Sequence, residues 1–273
     1  MKPIEGKDKM RIHTFAICAY KESEYLEECI VSLKNQTVRS EIILATHTPC
    51  QFLTDICEKY DIPLYVNEGE AGITQDWNFA ISKAKTKFVT IAHQDDKYEP
   101  DYTRQVVGRM KLADKPLIGF TDYYEIRHGK RIGKSTMIKI KKWLTLPLKW
   151  DFVRNSRLLR RYTLSLGDPV ICPSVTFAVK NLKQPIFKDH FICCEDWEML
   201  EEVFGMKGDI IYVPKKLTYH RIHEESTTSK ALSGGVRKKE NLEMFLKFWP
   251  KPIAAVINKV YNQSEKFNKV DNI

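Results

Sequence analysis

The chain has 273 residues, 43% of them apolar, enough for one large α/β domain whose core needs no disulfide or metal staple. Its net charge is +9, yet residues 130–161 hold eleven Lys or Arg against one acid, Asp151; the rest is near neutral, which excludes a uniformly basic nucleic-acid binder. Seven cysteines without a Cys-x-x-Cys pair exclude a zinc ribbon and suit a reducing, cytoplasmic setting.

The start, residues 1–11, is charged and does not read as a signal peptide. No apolar run reaches the ~18 residues of a membrane span. Residues 14–19 read as a buried strand, followed by the polar turn Tyr20-Lys-Glu-Ser23. Leu26, Cys29, Ile30 and Leu33 then fall at helical spacing, with Ser23 as the expected N-cap. Residues 42–45 predict a strand, Phe52 to Tyr60 a helix and residues 64–66 a third strand. A turn with Asn67, Gly69 and Gly72 precedes a helix whose inner face carries Trp77, Ala80, Ile81 and Ala84. Residues 88–92 form a fourth strand ending at His93-Gln-Asp-Asp96; Val106, Val107 and Met110 mark a helix, and residues 117–120 a strand. This alternation predicts βαβ units and a mostly parallel, doubly wound sheet, Rossmann-like in its first half. Ligands of such sheets bind at the carboxyl ends of the strands.

Beyond residue 121 the rhythm breaks. A hairpin is expected around His128-Gly-Lys130, then the basic segment, strands at residues 174–179 and 210–213, and a helix between them starting near Glu195. Two amphipathic helical patterns, Leu242, Phe245, Leu246 and Trp249 on one face and Ile253, Val256, Ile257 and Val260 on the next, split by Pro250 and Pro252, make a C-terminal appendage expected to pack back on the domain. The division expected is a domain of residues 1–235, with a regularly alternating half (12–121) and a second half (122–235), and a helical tail (236–273).

Asp95 and Asp96 follow a buried strand directly. Two adjacent carboxylates at a sheet edge repel unless a cation lies between them, and a divalent metal meets that demand; the other reading is a solvated helix start before Pro100. Glu195 and Asp196 open a helix, where acids complement the dipole or, near a sugar acceptor, where one acts as general base. His220, Arg221 and His223 suit a metal or a leaving diphosphate; zinc hydrolysis with His93 lacks the His-Glu-x-x-His pattern.

Taken together, these segments resemble the family 2 glycosyltransferases, which have the GT-A fold. Phe15-Ala-Ile-Cys-Ala-Tyr-Lys-Glu22 is similar to the family's nucleotide-binding start, and Asn67-x-Gly-x-Ala71 with Trp77-Asn78 to its Asn-x-Gly region. Ile91-Ala-His-Gln-Asp-Asp96 resembles its Asp-x-Asp metal motif, Pro173-Ser-Val175 its acceptor loop, Glu195-Asp196 its catalytic pair and His220-Arg-Ile-His223 its late basic motif. The resemblance implies an inverting transfer of a sugar from a nucleotide-diphosphate sugar, a UDP-sugar first, to an acceptor hydroxyl. It implies Asp196 as base with Glu195, Mn²⁺ or Mg²⁺ on Asp96, Asp95 and His223, and a donor site of Ala19, Tyr20, Glu22, Thr46, Asn78, Gln94, Asp95 and Arg221. Thr46 stands where the family has a base-reading aspartate, and Gln94 where it has the first Asp of its metal motif.

The expected setting is cell-surface polysaccharide or glycolipid synthesis, with a glycan or lipid-linked acceptor and no nucleic acid. The readings set against it are a non-catalytic nucleotide-sugar-binding protein and a nucleotidyltransferase; the latter wants a Gly-rich loop where Tyr20-Lys-Glu-Ser23 stands. In the basic segment Trp143, Leu144, Leu146, Leu148 and Trp150 interleave with Lys139, Lys141, Lys142 and Lys149. That pattern fits either a lid with core anchors or an anionic membrane surface on the inner face of the cell membrane.

Overall fold

The computed structural model describes residues 11–223 and 235–264. The charged start, the residues after His223 and the end of the tail lie outside the described residues. Four strands, β1 (His13–Ala19), β2 (Glu41–Thr46), β3 (Leu64–Val66) and β4 (Phe88–His93), run parallel in the order β3-β2-β1-β4. Between them lie α1 (Leu26–Lys34), α2 (Gln51–Tyr60) and α3 (Ile73–Lys83). This is the predicted winding, and its cause is the apolar alternation. In β1, Phe15 and Ile17 face Leu26, Ile30 and the α2 residues Leu53 and Ile56, while Ala16 faces Trp77 and Ala80 of α3. Both faces of the sheet are covered, as a parallel sheet requires.

One local expectation fails. Ser23 does not cap α1: Tyr25 stands at the N-cap, and Ser23 instead accepts from the Tyr25 amide through its hydroxyl and from the Leu26 amide through its carbonyl. A turn supplies the cap.

The second half extends the same sheet. After β5 (Lys97–Tyr98) and α4 (Tyr102–Met110) comes β6 (Pro116–Arg127), which fuses the strand and the first hairpin arm read separately in the sequence. The hairpin to β7 (Lys130–Ile132) turns at His128 (φ 48°) and Gly129 (φ 71°). Two successive left-handed residues make a turn that matches strand twist. Then come α5 (Thr136–Thr145), a 3-10 turn (Leu146–Lys149), α6 (Asp151–Asn155), α7 (Arg157–Tyr162), β8 (Val175–Ala178), α8 (Glu195–Gly205) and β9 (Asp209–Ile222). β8 enters antiparallel between β4 and β6, and β9 lies parallel to β6. β9 is far longer than the 210–213 core suggested. The pairing with β6 holds it extended past Lys215 and Lys216 through register shifts near Asp122, so His220 sits opposite Glu125 and Arg221 opposite Ile126.

The tail helices α9 (Val236–Leu246) and α10 (Lys251–Ser264) close the core. Phe245 meets Trp197 of α8 at 5.1 Å, and the Glu240 carboxylate accepts from the Ile192 and Cys193 amides at 3.0 and 2.8 Å. Their faces differ from the expected ones. α9 buries Met244 with Phe245 and exposes Leu246; α10 buries Ala254 and turns Ile253, Val256 and Val260 outward. All seven cysteines carry free thiols. Among the described residues no helix is long and apolar enough to cross a membrane.

Candidate active site

β4 ends at His93, and the acidic turn leads into β5, which pairs antiparallel with β9 at Lys97↔Tyr219 and Tyr98↔Thr218. That pairing sets Asp95 and Asp96 against His220 and Arg221. Asp96 is 1% exposed. Its carboxylate accepts from the Arg221 amide at 2.8 Å, lies 3.3 Å from His220 Nδ1 through each oxygen, and faces His93 Nδ1 at 3.8 Å. Asp95 meets His223 Nε2 at 2.8 Å, and its carbonyl accepts from Arg221 Nε at 2.9 Å. Burial works against the Asp95 charge, yet the His223 bond and the nearby His93 and His220 outweigh it and hold the carboxyl below its ordinary value. Burial likewise opposes charge on His220, and Asp96 and Asp95 overcome it, raising that imidazole's pKa.

Glu28 of α1, unmarked in the sequence reading, anchors this corner. It pairs with Lys97 at 2.5 Å and with the Arg221 guanidinium, which also stacks on Tyr25 at 4.1 Å. Its helical spacing only marked it as an outward position of α1. Gln94 exchanges two hydrogen bonds with the Tyr20 backbone at 3.0 and 3.1 Å, locking the ends of β1 and β4 together.

His93, Asp95 and Asp96 each bring a ligand atom within 4.8 Å of the others. His93 stacks on Trp77 at 5.4 Å, and its Nε2 is buried with no hydrogen-bond partner among the described residues. The other ring nitrogen, Nδ1, is the one that faces Asp96, and an imidazole nitrogen beside two carboxylates fits a divalent cation of the Mn²⁺ kind. The sequence reading had His223 in this place; the structure sets His93 inside the cluster and His223 on Asp95.

At the ends of β1 and β2 the expected donor residues divide. Ala19 is buried in register with Thr46, while Tyr20 and Glu22 are exposed above them. Thr46 is 1% exposed, and its hydroxyl accepts from the Thr48 amide at 3.0 Å, so it shapes the turn rather than standing open to a base. Asn67 accepts from the Gly69 amide and donates to Asp76 at 2.8 Å. Asp76, an acid in the first turn of α3, is held at this end of the sheet by Asn67; its place in a helix gave it no motif signal. Asn78 points elsewhere: its amide donates to the Phe187 carbonyl at 2.7 Å and accepts from the Phe187 amide at 3.1 Å. It clamps the segment before α8.

The acceptor side is built around the start of α8. Glu195 is 8% exposed, whereas Asp196 is half-buried with one oxygen accepting from the Trp197 amide at 2.8 Å. Burial, then the Asp196 charge, pushes the Glu195 carboxyl up to about 8. The same two causes push Asp168, in the turn before β8, up to about 7. Glu195 therefore keeps its proton at neutral pH, and Asp168 titrates near neutrality, both beside Asp196. Asp168 escaped the sequence reading because its Gly-Asp-Pro setting is an ordinary turn pattern. The loop 173–175 is not an open acceptor loop: Pro173 and Ser174 are buried, their carbonyls accepting from the Tyr98 and Tyr102 hydroxyls at 2.7 and 2.9 Å.

Residues 14–175, more than half of the chain, match the family described as Glycosyl transferase family 2. The chain belongs to that family. A curated relative, "Putative glycosyltransferase EpsH" of Bacillus subtilis (strain 168), is 28% identical over 96 residues; the match spans 33% of this chain and 28% of that protein's length. The fold is that of S. aureus TarS (residues 1–349), at a TM-score of 0.60 and 15% identity over 94% of this chain and 72% of that one. The mannosyltransferase PcManGT from Pyrobaculum calidifontis, in complex with GDP-Man and Mn²⁺, is similar at a TM-score of 0.60 and 13% identity, over 97% and 72%. These neighbours bear out the GT-A type fold.

Proposed function

We propose that this chain is an inverting glycosyltransferase that moves a sugar from a UDP-sugar to an acceptor hydroxyl, in cell-surface polysaccharide or glycolipid synthesis. One observation carries the reading: the Asp95-Asp96 turn is pinned to His220 and Arg221 at the carboxyl end of β4, in the one sheet that also carries the ends of β1 and β2. TarS is also similar in its complex with UDP-GlcNAc (TM-score 0.58, 17% identity), which supports UDP as the first nucleotide to try.

Asp196 accepts the proton of the acceptor hydroxyl while that oxygen bonds to the anomeric carbon and the bond to the diphosphate breaks. Glu195, its pKa raised by burial and by the neighbouring Asp196, stays protonated beside the base. Arg221, ordered by Glu28 and by the Asp95 carbonyl, with His220 beside it, faces the charge that develops on the leaving diphosphate. Asp95, Asp96 and a histidine, His93 or His223, would hold a divalent cation, which would supply further positive charge at the leaving group. Gln94 and Tyr20 keep the two strand ends in register beneath the donor.

Calorimetric titration with UDP, with and without Mn²⁺, tests the donor site. We expect metal-dependent binding that Asp96→Ala loses. Asp196→Asn keeps the UDP affinity and lowers transfer by roughly 10²- to 10⁴-fold, the range of a general base. Metal-independent UDP binding, or transfer that survives in Asp196→Asn, refutes the assignment.

A further inference from the structure

We propose that the short helices of residues 136–162 are a docking face for an anionic lipid surface. The face begins on α5, whose two sides differ sharply. Met137, Ile138, Leu144 and Thr145 are buried, and Leu148 of the following 3-10 turn is fully so. On the other side stand Lys139, Lys142 and Lys149, all exposed, and between them Trp143, 65% exposed. Lys139 and Trp143, at i and i+4, share the outer face of α5, and Trp150 follows the 3-10 turn beyond its end.

The apolar part continues beyond α5. Trp150 is 52% and Phe152 65% exposed, their rings stacked at 6.2 Å, and Leu158 of α7 is 61% exposed. Large aromatic groups left in water beside lysines are the pattern of an interfacial helix, in which rings sit at headgroup depth and cations meet the anionic heads.

Charge selects the occupant. A second copy of this chain would bring the same positive field, since Asp151 is the sole acid among eleven Lys or Arg of residues 130–161. Nucleic acid would answer the charge but has no use for exposed Phe152 and Leu158. A bilayer with anionic heads answers both.

The face also lies next to the acceptor side. Lys141, one residue from Lys142 on α5, turns inward: its ammonium lies 5.9 Å from the Tyr123 ring, and its charge acts on both Asp168 and His220. One helix thus joins the lipid-facing surface to the cleft. An acceptor carried on a lipid anchor would reach Asp196 from that side; this consequence rests on the transferase reading, whereas the docking does not.

Flotation of the full chain with vesicles tests it, using phosphatidylcholine alone against phosphatidylcholine with phosphatidylglycerol. Binding to the anionic vesicles only is expected. A basic side chain at such a surface contributes about 1 kcal/mol, so the triple variant Lys139→Glu, Lys142→Glu, Lys149→Glu should weaken partitioning by at least about a hundredfold. The variant Trp143→Ser, Trp150→Ser should lose the part of binding that survives high salt. Both variants change exposed side chains, and an unaltered thermal midpoint shows that they fold. No flotation, equal flotation on neutral vesicles, preferential binding of an oligonucleotide, or a dimer that the Trp variant splits each overturns the proposal. UDP titration stays independent: its failure would sink the UDP-donor reading and leave the vesicle result standing.

Discussion

Glu195 offers a measurement that isolates one buried proton. Its carboxyl is 8% exposed, and its Oε2 has no hydrogen-bond partner among the described residues. Burial and Asp196 raise its pKa from 4.5 to about 8, with Arg237 pulling the other way and Glu240 adding to the rise. Between those values the folded chain holds a proton that the unfolded chain releases. Stability must therefore fall as pH climbs through that window, because the folded state binds more protons. At about 1.36 kcal/mol per unit, the loss between pH 5 and pH 8 is roughly 3 kcal/mol. Glu195→Gln keeps the shape and removes the titration. Urea unfolding followed by tryptophan fluorescence at pH 5, 6.5 and 8 gives the difference between variant and parent. That difference should move by roughly 3 kcal/mol in favour of the variant as pH rises. A difference independent of pH would refute the claim that Glu195 is neutral in the folded chain, and with it the reason for choosing Asp196 over Glu195 as the base.

Two further substitutions probe the frame around the site. Asn78→Ala removes both hydrogen bonds to the Phe187 backbone and should destabilise the chain by about 1–3 kcal/mol, read as a lower urea midpoint, while leaving UDP affinity within a few fold; a collapse of UDP binding in a folded variant would restore Asn78 to the donor site. Arg160→Met should cost about 3 kcal/mol or more in the same assay, because the buried guanidinium donates to the carbonyls of Arg154, Phe204, Met206 and Gly208, which the variant leaves without that donor.

The first half was legible because its signals are local. Each strand of residues 13–93 is a short apolar run, each helix repeats apolar residues at three and four, and a turn separates every pair. Such patterns dictate a parallel sheet covered on both faces, and the polar ends of its strands point to Asp95 and Asp96. Likewise Glu195 and Asp196 stood out as paired acids at a helix start.

What only the tertiary structure decided is which partners these residues meet. β9 continues to Ile222 because β6 holds it extended across a bulge, and no apolar alternation near Lys215 and Lys216 announces that. Without that strand, His220 and Arg221 would not reach Asp96. Glu28, Asp76, Asp168 and His93 acquire their places through contacts between distant segments, as does the diversion of Asn78 to Phe187. The outward stripe of α10 inverted the expectation for the same reason: periodicity shows that a helix has an apolar face, but the neighbours it packs against determine which face is buried. Local spacing thus set the elements, and long-range pairing alone set the electrostatics of the site.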